Sequence, residues 1–402
     1  MAHPLIVIGA GLAGWTTVRE FRKLDPATPV VVITADNGDF YAKPTLSNAF
    51  AQKRGPEQLV STPAAKMAET LNVTLMARTV VDTIDPATQT VHTARGGEAL
   101  VLQFSDLVLA TGAQAIRVPV QGTAAERVQS VNSLDDFSAF YLGLKRHETS
   151  ASSSENDSKI VVIMGAGLIG CEFANDLAQA GHRVHVVDPS TRPLSLLLPE
   201  AAGVQLQEAL DTLGVAWHFG TTVQAVDLAD TNAPLGPLTV RLANGETVTA
   251  DAVLSAIGLR ANTALAAAAG LACERGIVVD ALLQTSVEQV YALGDCAQYA
   301  SAGQRTLPYV MPIMNAAKAL AATLAGTPTA LVFPLMPVSI KTPVLPIVVC
   351  AAHPAQAGNW VADEGESAGV WRFTDPEGQQ RGFVLTGKQT SRRMELAKAT
   401  VA

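Results

Sequence analysis

The sequence predicts an α/β protein: two Rossmann-like, doubly wound dinucleotide-binding domains, one inserted in the other, followed by a small α+β C-terminal domain. Three observations predict it. An apolar strand runs into G-x-G-x-x-G close to the N-terminus, a complete second copy begins at Ile160, and two later apolar strands each end at a glycine. The expected division is 1–115 with 250–328 for the first domain, 116–249 for the inserted domain and 329–402 for the last.

Leu5-Ile6-Val7-Ile8 is an unbroken apolar run, the mark of a parallel strand buried on both faces. Gly9, Gly11 and Gly14 follow, with Ala10, Leu12 and Ala13 between them. The first glycine permits a tight turn, the second lets a pyrophosphate approach the backbone, and the third lets the next helix lie close to the strand. That helix carries Leu12, Trp15, Val18 and Phe21 at helical spacing, and its free N–H groups face the phosphates. A second strand, Val30 to Ile33, leads into Ala35-Asp36, where an acid about 20 residues beyond the glycines binds a ribose hydroxyl. Three spaced glycines alone also fit a Gly-rich turn in any α/β domain; the strand before them and the strand and acid after them favour a dinucleotide.

The chain has 402 residues, enough for two or three domains. Hydrophobic residues make up 48%, charged residues 16%, and the net charge is −8, which argues against nucleic acid as a partner. No apolar run reaches membrane-spanning length. The nearest, Leu331 to Cys350, is interrupted by Pro334, Pro337, Lys341, Pro343 and Pro346. The first strand starts within a few residues of Met1, leaving no room for a leader, so a cytoplasmic protein is expected. Cys171, Cys273, Cys296 and Cys350 form neither C-x-x-C nor a ligand cluster, so reduced cysteines and no metal are expected.

After Asp36, the string Tyr41-Ala42-Lys43-Pro44-Thr45-Leu46-Ser47 reads as a turn or helix start. Most lysines are solvated, but Lys43 follows the nucleotide strand closely enough to be a candidate cofactor contact. Val73 to Met76 and Thr79 to Ile84 read as short strands with a turn at Asp85-Pro86. Leu102 to Ala110 reads as one strand running into Thr111-Gly112-Ala113. Residues 145–158, rich in Ser, Asn, Glu and Lys, read as a flexible surface loop.

The opening pattern then recurs. Ile160 to Met164 is a buried strand, Gly165, Gly167 and Gly170 repeat the spacing around Leu168 and Ile169, and a helix runs through Phe173, Leu177 and Ala180 to Gly181, a plausible cap. Val184 to Val187 is the next strand, closed by Asp188, 23 positions after Gly165. Asp188 would accept from ribose hydroxyls and repel a 2′-phosphate, favouring NAD over NADP; Arg192 nearby weakens that preference. Leu238 to Leu242 and Thr247 to Val248 flank Asn244-Gly245, a hairpin signal. The strand from Asp251 to Gly258 parallels Leu107 to Gly112 and returns the chain to the first domain. Val290 to Leu293 ends in Gly294-Asp295, a turn in any loop, but after two nucleotide motifs an acid placed for the ribityl chain of a flavin. Tyr309-Val310-Met311-Pro312 opens a helix running to Ala325 and Gly326, whose positive end suits an anionic flavin. Pro346 to Ala351, Gly369 to Phe373 and Gly382 to Thr386 are short β-rich runs.

These motifs, with Ala42 to Ser47, Tyr291 to Ala297 and Pro337-Val338-Ser339-Ile340-Lys341-Thr342-Pro343, resemble the two-dinucleotide flavoproteins of the pyridine-nucleotide oxidoreductase family, and within them bacterial rubredoxin reductases; ferredoxin reductases and apoptosis-inducing factor are looser likenesses. The resemblance covers nearly the whole chain and implies FAD on the first motif and NADH on the second. It implies that Lys43 pairs with Glu172 beside flavin N5, and that Lys341 lies near the flavin. Without it, Glu172 is an acid favoured by the dipole at a helix start and Lys341 a surface lysine. The candidate catalytic residues are Lys43 and Glu172. The candidate FAD contacts are Gly9, Ala10, Gly11, Leu12, Ala13, Gly14, Ala35, Asp36, Lys43, Val81, Thr111, Gly112, Glu172, Asp295, Val310 and Lys341; the candidate NAD contacts are Gly165, Gly167, Leu168, Ile169, Gly170, Asp188 and Gly258.

The activity so implied is hydride transfer from NADH to flavin and release of single electrons to rubredoxin or another small iron protein, in the service of an alkane-hydroxylase type of monooxygenase, from a monomer or weak dimer. The loop Phe40 to Phe50 holds no cysteine, which argues against a disulfide reductase, peroxidase or oxidase using a thiol. A ferredoxin reductase of an oxygenase system and a non-catalytic FAD/NAD sensor remain the alternatives.

Overall fold

Two sheets of the same construction carry the chain's two glycine motifs. A computed structural model describes residues 3–95, 98–145, 158–353, 355–365 and 368–401, and the chain divides into two units. The first unit comprises 1–42, 60–114 and 259–336, and the second 43–59, 115–258 and 337–402. Most of the 145–158 loop lies outside the described residues; Lys145 ends a helix, and Ser158 Oγ donates to Gly181 O at 2.8 Å.

In the first unit, Leu5–Ile8 lies at the centre of a parallel sheet. Its neighbours are Val30–Ile33 on one side and Asp106–Leu109 on the other; Thr74–Met76 and Val290–Ala292 form the edges. Ile6, Val7, Val32 and Val108 are fully buried, as expected of strands covered on both faces. The helix Leu12–Leu24 buries Trp15, Val18 and Phe21. It packs against the helix Val310–Leu324, whose alanines at 316, 317, 319 and 321 are buried. Val80–Asp85, Thr90–Arg95 and Glu98–Gln103 form an antiparallel meander.

The second unit repeats the arrangement. Its parallel sheet runs Val128–Gln129, Ala252–Ser255, Ile160–Met164, Arg183–Asp188, Ala216–Phe219, with the helix Leu168–Gln179 following the central strand. Gly9 N donates to Ile33 O and Gly165 N to Val187 O, both at 2.8 Å, so the two turns leave their sheets at the same point. Val223–Leu228, Leu238–Leu242 and Thr247–Ala250 form a meander, with Gly245 at φ +93° in its hairpin. The C-terminal residues build a five-stranded antiparallel sheet in the order Val338–Ile340, Ile347–Cys350, Gln380–Thr386, Val370–Thr374, Asn359–Ala362, followed by the helix Arg393–Ala399.

One expected strand is two. Leu102 to Ala110 breaks at Phe104 and Ser105, whose N–H groups bond Gln89 O and Pro4 O at 3.0 Å each. The residues before the break belong to the meander and those after it to the parallel sheet. Phe104, 1% exposed, is the buried pivot, and an apolar pivot between two apolar strands leaves no mark in the hydrophobic pattern. The strands Val338–Ile340 and Asn359–Ala362 were likewise not separable from loop by pattern.

The three glycines of each motif answer to different constraints. A Cβ on Gly14 would lie 1.9 Å from Gly9 O, and one on Gly170 would lie 2.0 Å from Gly165 O, so the helix backbone sits directly on the turn. Gly9 and Gly165 have φ of +108° and +103°. Beside Gly11 and Gly167 a Cβ would meet nothing within 4 Å. Gly14→Ala is therefore expected to destabilise by about 1–3 kcal/mol, while Gly11→Ala leaves stability within about 0.5 kcal/mol of the parent. Thermal melts of both variants check this, and equal losses would contradict it.

Candidate functional site

The middle glycine of each motif is the one that the protein's own packing does not require. Its missing side chain opens space over a helix N-terminus, at Gly11 before Leu12–Leu24 and at Gly167 before Leu168–Gln179. A cradle that stays open to backbone N–H groups fits a dinucleotide pyrophosphate. Both turns therefore fit the group that the sequence assigns to them.

Around the first cradle the unit gathers several of the predicted residues. Strand Asp106–Leu109 ends against Gly9, where a Cβ would come 2.2 Å from Ala110 O. Thr111 Oγ1 donates to Asn262 O at 2.9 Å and holds the Thr111-Gly112 turn, with Gly112 at φ +67°. Asp36 Oδ1 accepts from Thr34 Oγ1 at 2.6 Å and Gly38 N at 2.9 Å, fixing the loop that begins at Ala35. Arg78 N donates to Asp36 O, tying the chain that leads to Val81 to the same strand end. Asp295 sits in the 3₁₀ turn Gly294–Cys296, where a Cβ on Gly294 would lie 2.8 Å from Ala13 Cβ, so this turn presses on the first turn of Leu12–Leu24. Tyr299 fastens it, its hydroxyl accepting from Gly294 N at 2.7 Å. Val310 opens the helix beside it.

Around the second cradle, Asp188 Oδ2 accepts from Ala166 N at 2.6 Å, and Oδ1 accepts from Ser190 N at 2.8 Å and from Ser190 Oγ. The acid is thus fixed against the glycine turn and keeps lone pairs for further donors. Arg192 is committed to the loop after it, donating to Ser195 O at 3.2 Å and Leu198 O at 3.0 Å, with Nη1 packed against Gly203. Its anticipated pull toward a 2′-phosphate is therefore countered by its bonds to backbone carbonyls. Gly258, at φ +120°, accepts from Ile116 N at 3.0 Å.

The second unit also assembles a buried polar cluster. Glu172, 1% exposed, lies on the helix Leu168–Gln179. Its Oε2 accepts from Ser47 Oγ at 2.7 Å and from Lys341 Nζ, and its Oε1 accepts from Lys341 N at 3.0 Å. Lys341 Nζ also bonds Ser47 Oγ at 2.9 Å. Lys43 opens the 3₁₀ segment Lys43–Asn48 that carries Ser47. One helical turn beyond Glu172, Asp176 accepts from Phe50 N at 3.0 Å and Ala51 N at 2.8 Å, and Asn175 Oδ1 accepts from Val344 N at 3.1 Å. Burial pushes the Asp176 carboxyl up to about 6, against the pull of those N–H groups and of Lys341. Ser47, Asn175 and Asp176 were not singled out in the sequence; the signal available for Asn175 and Asp176 was their spacing with Glu172 on an otherwise apolar helix, and Ser47, on a distant segment, carried none.

All four cysteines are free. Burial raises each thiol: Cys350 to about 11, and the fully buried Cys171 and Cys296 and the part-exposed Cys273 in the same direction. None is poised as a thiolate at neutral pH. Among the described residues no group of His, Cys, Asp and Glu is arranged to hold a metal, and no helix is long and apolar enough to cross a membrane.

The pyridine nucleotide-disulphide oxidoreductase family model matches residues 3–322, and a rubredoxin-binding C-terminal domain model matches 330–400. The chain is 42% identical over 397 residues to a rubredoxin-NAD(+) reductase of Acinetobacter baylyi, covering 98% of this chain and 97% of that protein. It is also 42% identical to one from Alcanivorax borkumensis, covering 98% of each. A solved covalent complex of putidaredoxin reductase with putidaredoxin has the same fold, with TM-score 0.85 at 21% identity, over 100% of this chain and 94% of that one.

Removing one partner of the buried ion pair leaves the other charge uncompensated. Lys341→Met is expected to cost about 3–5 kcal/mol, whereas the double variant Lys341→Met with Glu172→Gln recovers part of that loss; denaturant unfolding of the three proteins checks it. Asp176 supplies a pH test. Its folded pKa stands above the ordinary carboxylate value near 4, so the folded state binds the proton more tightly. That stability is fully present below about pH 4 and is lost as pH rises through about 6. The loss is ~2–3 kcal/mol, and melting temperatures from pH 4 to 7 are expected to fall less steeply in Asp176→Asn.

Proposed function

This chain belongs to the pyridine nucleotide-disulphide oxidoreductase family, and on that premise we propose that it is an FAD-dependent NADH:rubredoxin reductase. The observation that carries the proposal is the pairing of two open dinucleotide cradles with a chain whose four cysteines are all free and whose Phe40 to Phe50 loop holds none. FAD, when bound, takes a hydride from NADH and gives up electrons singly. The protein's part is to bind and orient. In this reading the Gly9–Gly14 turn, Asp36, Val81, Thr111, Gly112, Asp295 and Val310 hold FAD, and the Gly165–Gly170 turn, Asp188 and Gly258 hold NADH. Lys43, Glu172 and Lys341 serve the reacting edge of the flavin, with Lys43 and Glu172 as the catalytic pair. The Lys341 bond to Glu172 supports part of this, since it fixes the carboxylate that Lys43 is expected to meet.

The three-domain division belongs to the same reading: FAD on 1–115 with 250–328, NADH on 116–249, and rubredoxin contacts from 329–402, where the rubredoxin-binding model matches. So do a cytoplasmic location and a monomer or weak dimer. The carrier would serve a monooxygenase of the alkane-hydroxylase type. A ferredoxin acceptor and a non-catalytic sensor are separated from this reading by turnover.

The purified protein is expected to be yellow and to bleach with NADH in the absence of oxygen, then to reduce rubredoxin faster than a plant-type ferredoxin. A protein that takes up no flavin would overturn the reading. Lys43→Ala is expected to slow bleaching at least about tenfold, measured by anaerobic stopped flow, and unchanged kinetics would remove Lys43 from its role.

A further inference from the structure

The second unit contains a cavity of about 280 Å³ beside the Glu172 cluster, lined by polar and apolar atoms alike. Ser47, Asn48, Asn175, Asp176, Gln179 and Lys341 contribute to its lining. Asn48 Oδ1 is buried and, among the described residues, has no hydrogen-bond partner. A cavity this large, with Ser47, Asn175, Asp176, Gln179 and Lys341 among its lining residues, is a site for water rather than a dry void. Ala51 and Gln52 are exposed at its rim, so this water exchanges with solvent.

The cluster holds two buried carboxylates one helical turn apart, Glu172 and Asp176, and one ammonium group, Lys341. From the 43–59 segment Asp176 meets the backbone N–H groups of Ala49, Phe50 and Ala51, and from the C-terminal segment the charge of Lys341; Glu172 lies one turn before it on the same helix. Two like charges at this spacing against one cation leave room for one exchangeable proton. Ser47 and Lys341 each bond Glu172 on one side and line the cavity on the other.

The proposed reaction has a proton to dispose of. NADH gives up two electrons and one proton as hydride; two one-electron carriers accept the electrons and no proton. The balance is NADH and two oxidised carriers giving NAD⁺, two reduced carriers and one H⁺. We propose that Asp176 is the group through which this surplus proton leaves the protein, passing it to the water of the cavity. Ser47, Glu172 and Lys341 form a hydrogen-bonded group that lines the same cavity through Ser47 and Lys341, and the cavity's water bridges that group to Asp176. The inference rests on the reading that Glu172 and Lys341 adjoin the flavin.

The test uses the flavin-loaded protein and Asp176→Asn. Bleaching by NADH needs no proton exit, so it is expected to proceed in both. With rubredoxin present, proton release followed by an indicator dye is expected to slow at least about tenfold in the variant. The plot of flavin reduction potential against pH, which the reduced flavin's own ring proton already bends, is expected to differ in shape between the parent and the variant over about pH 5 to 7. Proton release at the parental rate together with superimposable plots would overturn the proposal. Failure of the parent itself to bleach would instead strike the functional reading. Ala51→Phe covers the case in which Asp176→Asn does not fold. It narrows the rim while keeping the Ala51 N–H that bonds Asp176. It is expected to slow proton release and leave bleaching unchanged, and parental proton release in Ala51→Phe would also count against the cavity as the outlet.

Discussion

A carboxylate that is 1% exposed governs the architecture of the second unit. Glu172 cannot stand charged in that position without partners, because burying a lone charge costs more than a single domain can supply. Its partners come from far along the chain: Ser47, 125 residues earlier, and Lys341, 169 residues later. Meeting that requirement draws the 43–59 segment and the C-terminal sheet onto one helix. Asn175 and Asp176 repeat the device, taking the N–H groups of Val344, Phe50 and Ala51. Apolar packing secures the same approach, with Phe50 set against Phe137, Phe140 and Tyr141.

The helix Leu168–Gln179 therefore has two working faces. Cys171, Ala174 and Leu177 are buried apolar positions, while Glu172, Asn175, Asp176 and Gln179 fall at helical spacing along a polar stripe. On an isolated amphipathic helix such a stripe would face water. Here Glu172, Asn175 and Asp176 are themselves buried, and two excursions of the chain cover them. A reader of the sequence sees the period and assigns the polar side to solvent, because the covering segments are long-range and carry no local signal.

That explains which parts of the protein were legible. Strand, glycine turn, helix and acid are consecutive residues whose roles are set by local geometry, so both motifs could be read whole, down to the distinct demands on Gly9, Gly11 and Gly14. The helix Val310–Leu324, with Gly326 just past its end, was legible for the same reason. The break at Phe104 was not, since a buried pivot between two apolar strands is itself apolar. Lys341 was legible only through family resemblance: nothing near it in the chain announces a carboxylate 169 residues away. The bonds that turn Arg192 back on its own loop depend on side-chain direction, which spacing does not encode.

The buried cluster carries an energetic cost that packing alone does not explain. Hydrophobic residues of similar volume often hold such a contact as well as a buried ion pair or better, and a second carboxylate beside the pair makes the balance worse. Asp176 bears part of that cost, since burial pushes its carboxyl up to about 6 and favours the protonated form in the fold. Structural duty alone, capping the N–H groups of Phe50 and Ala51, would be served with less penalty by a neutral acceptor. A charged acceptor that titrates near neutrality, beside a cavity and bonded into a segment that also carries Ser47, has a property that a neutral one lacks: it can gain and lose a proton while its neighbours stay in place. The placement is therefore better accounted for by proton traffic than by stability.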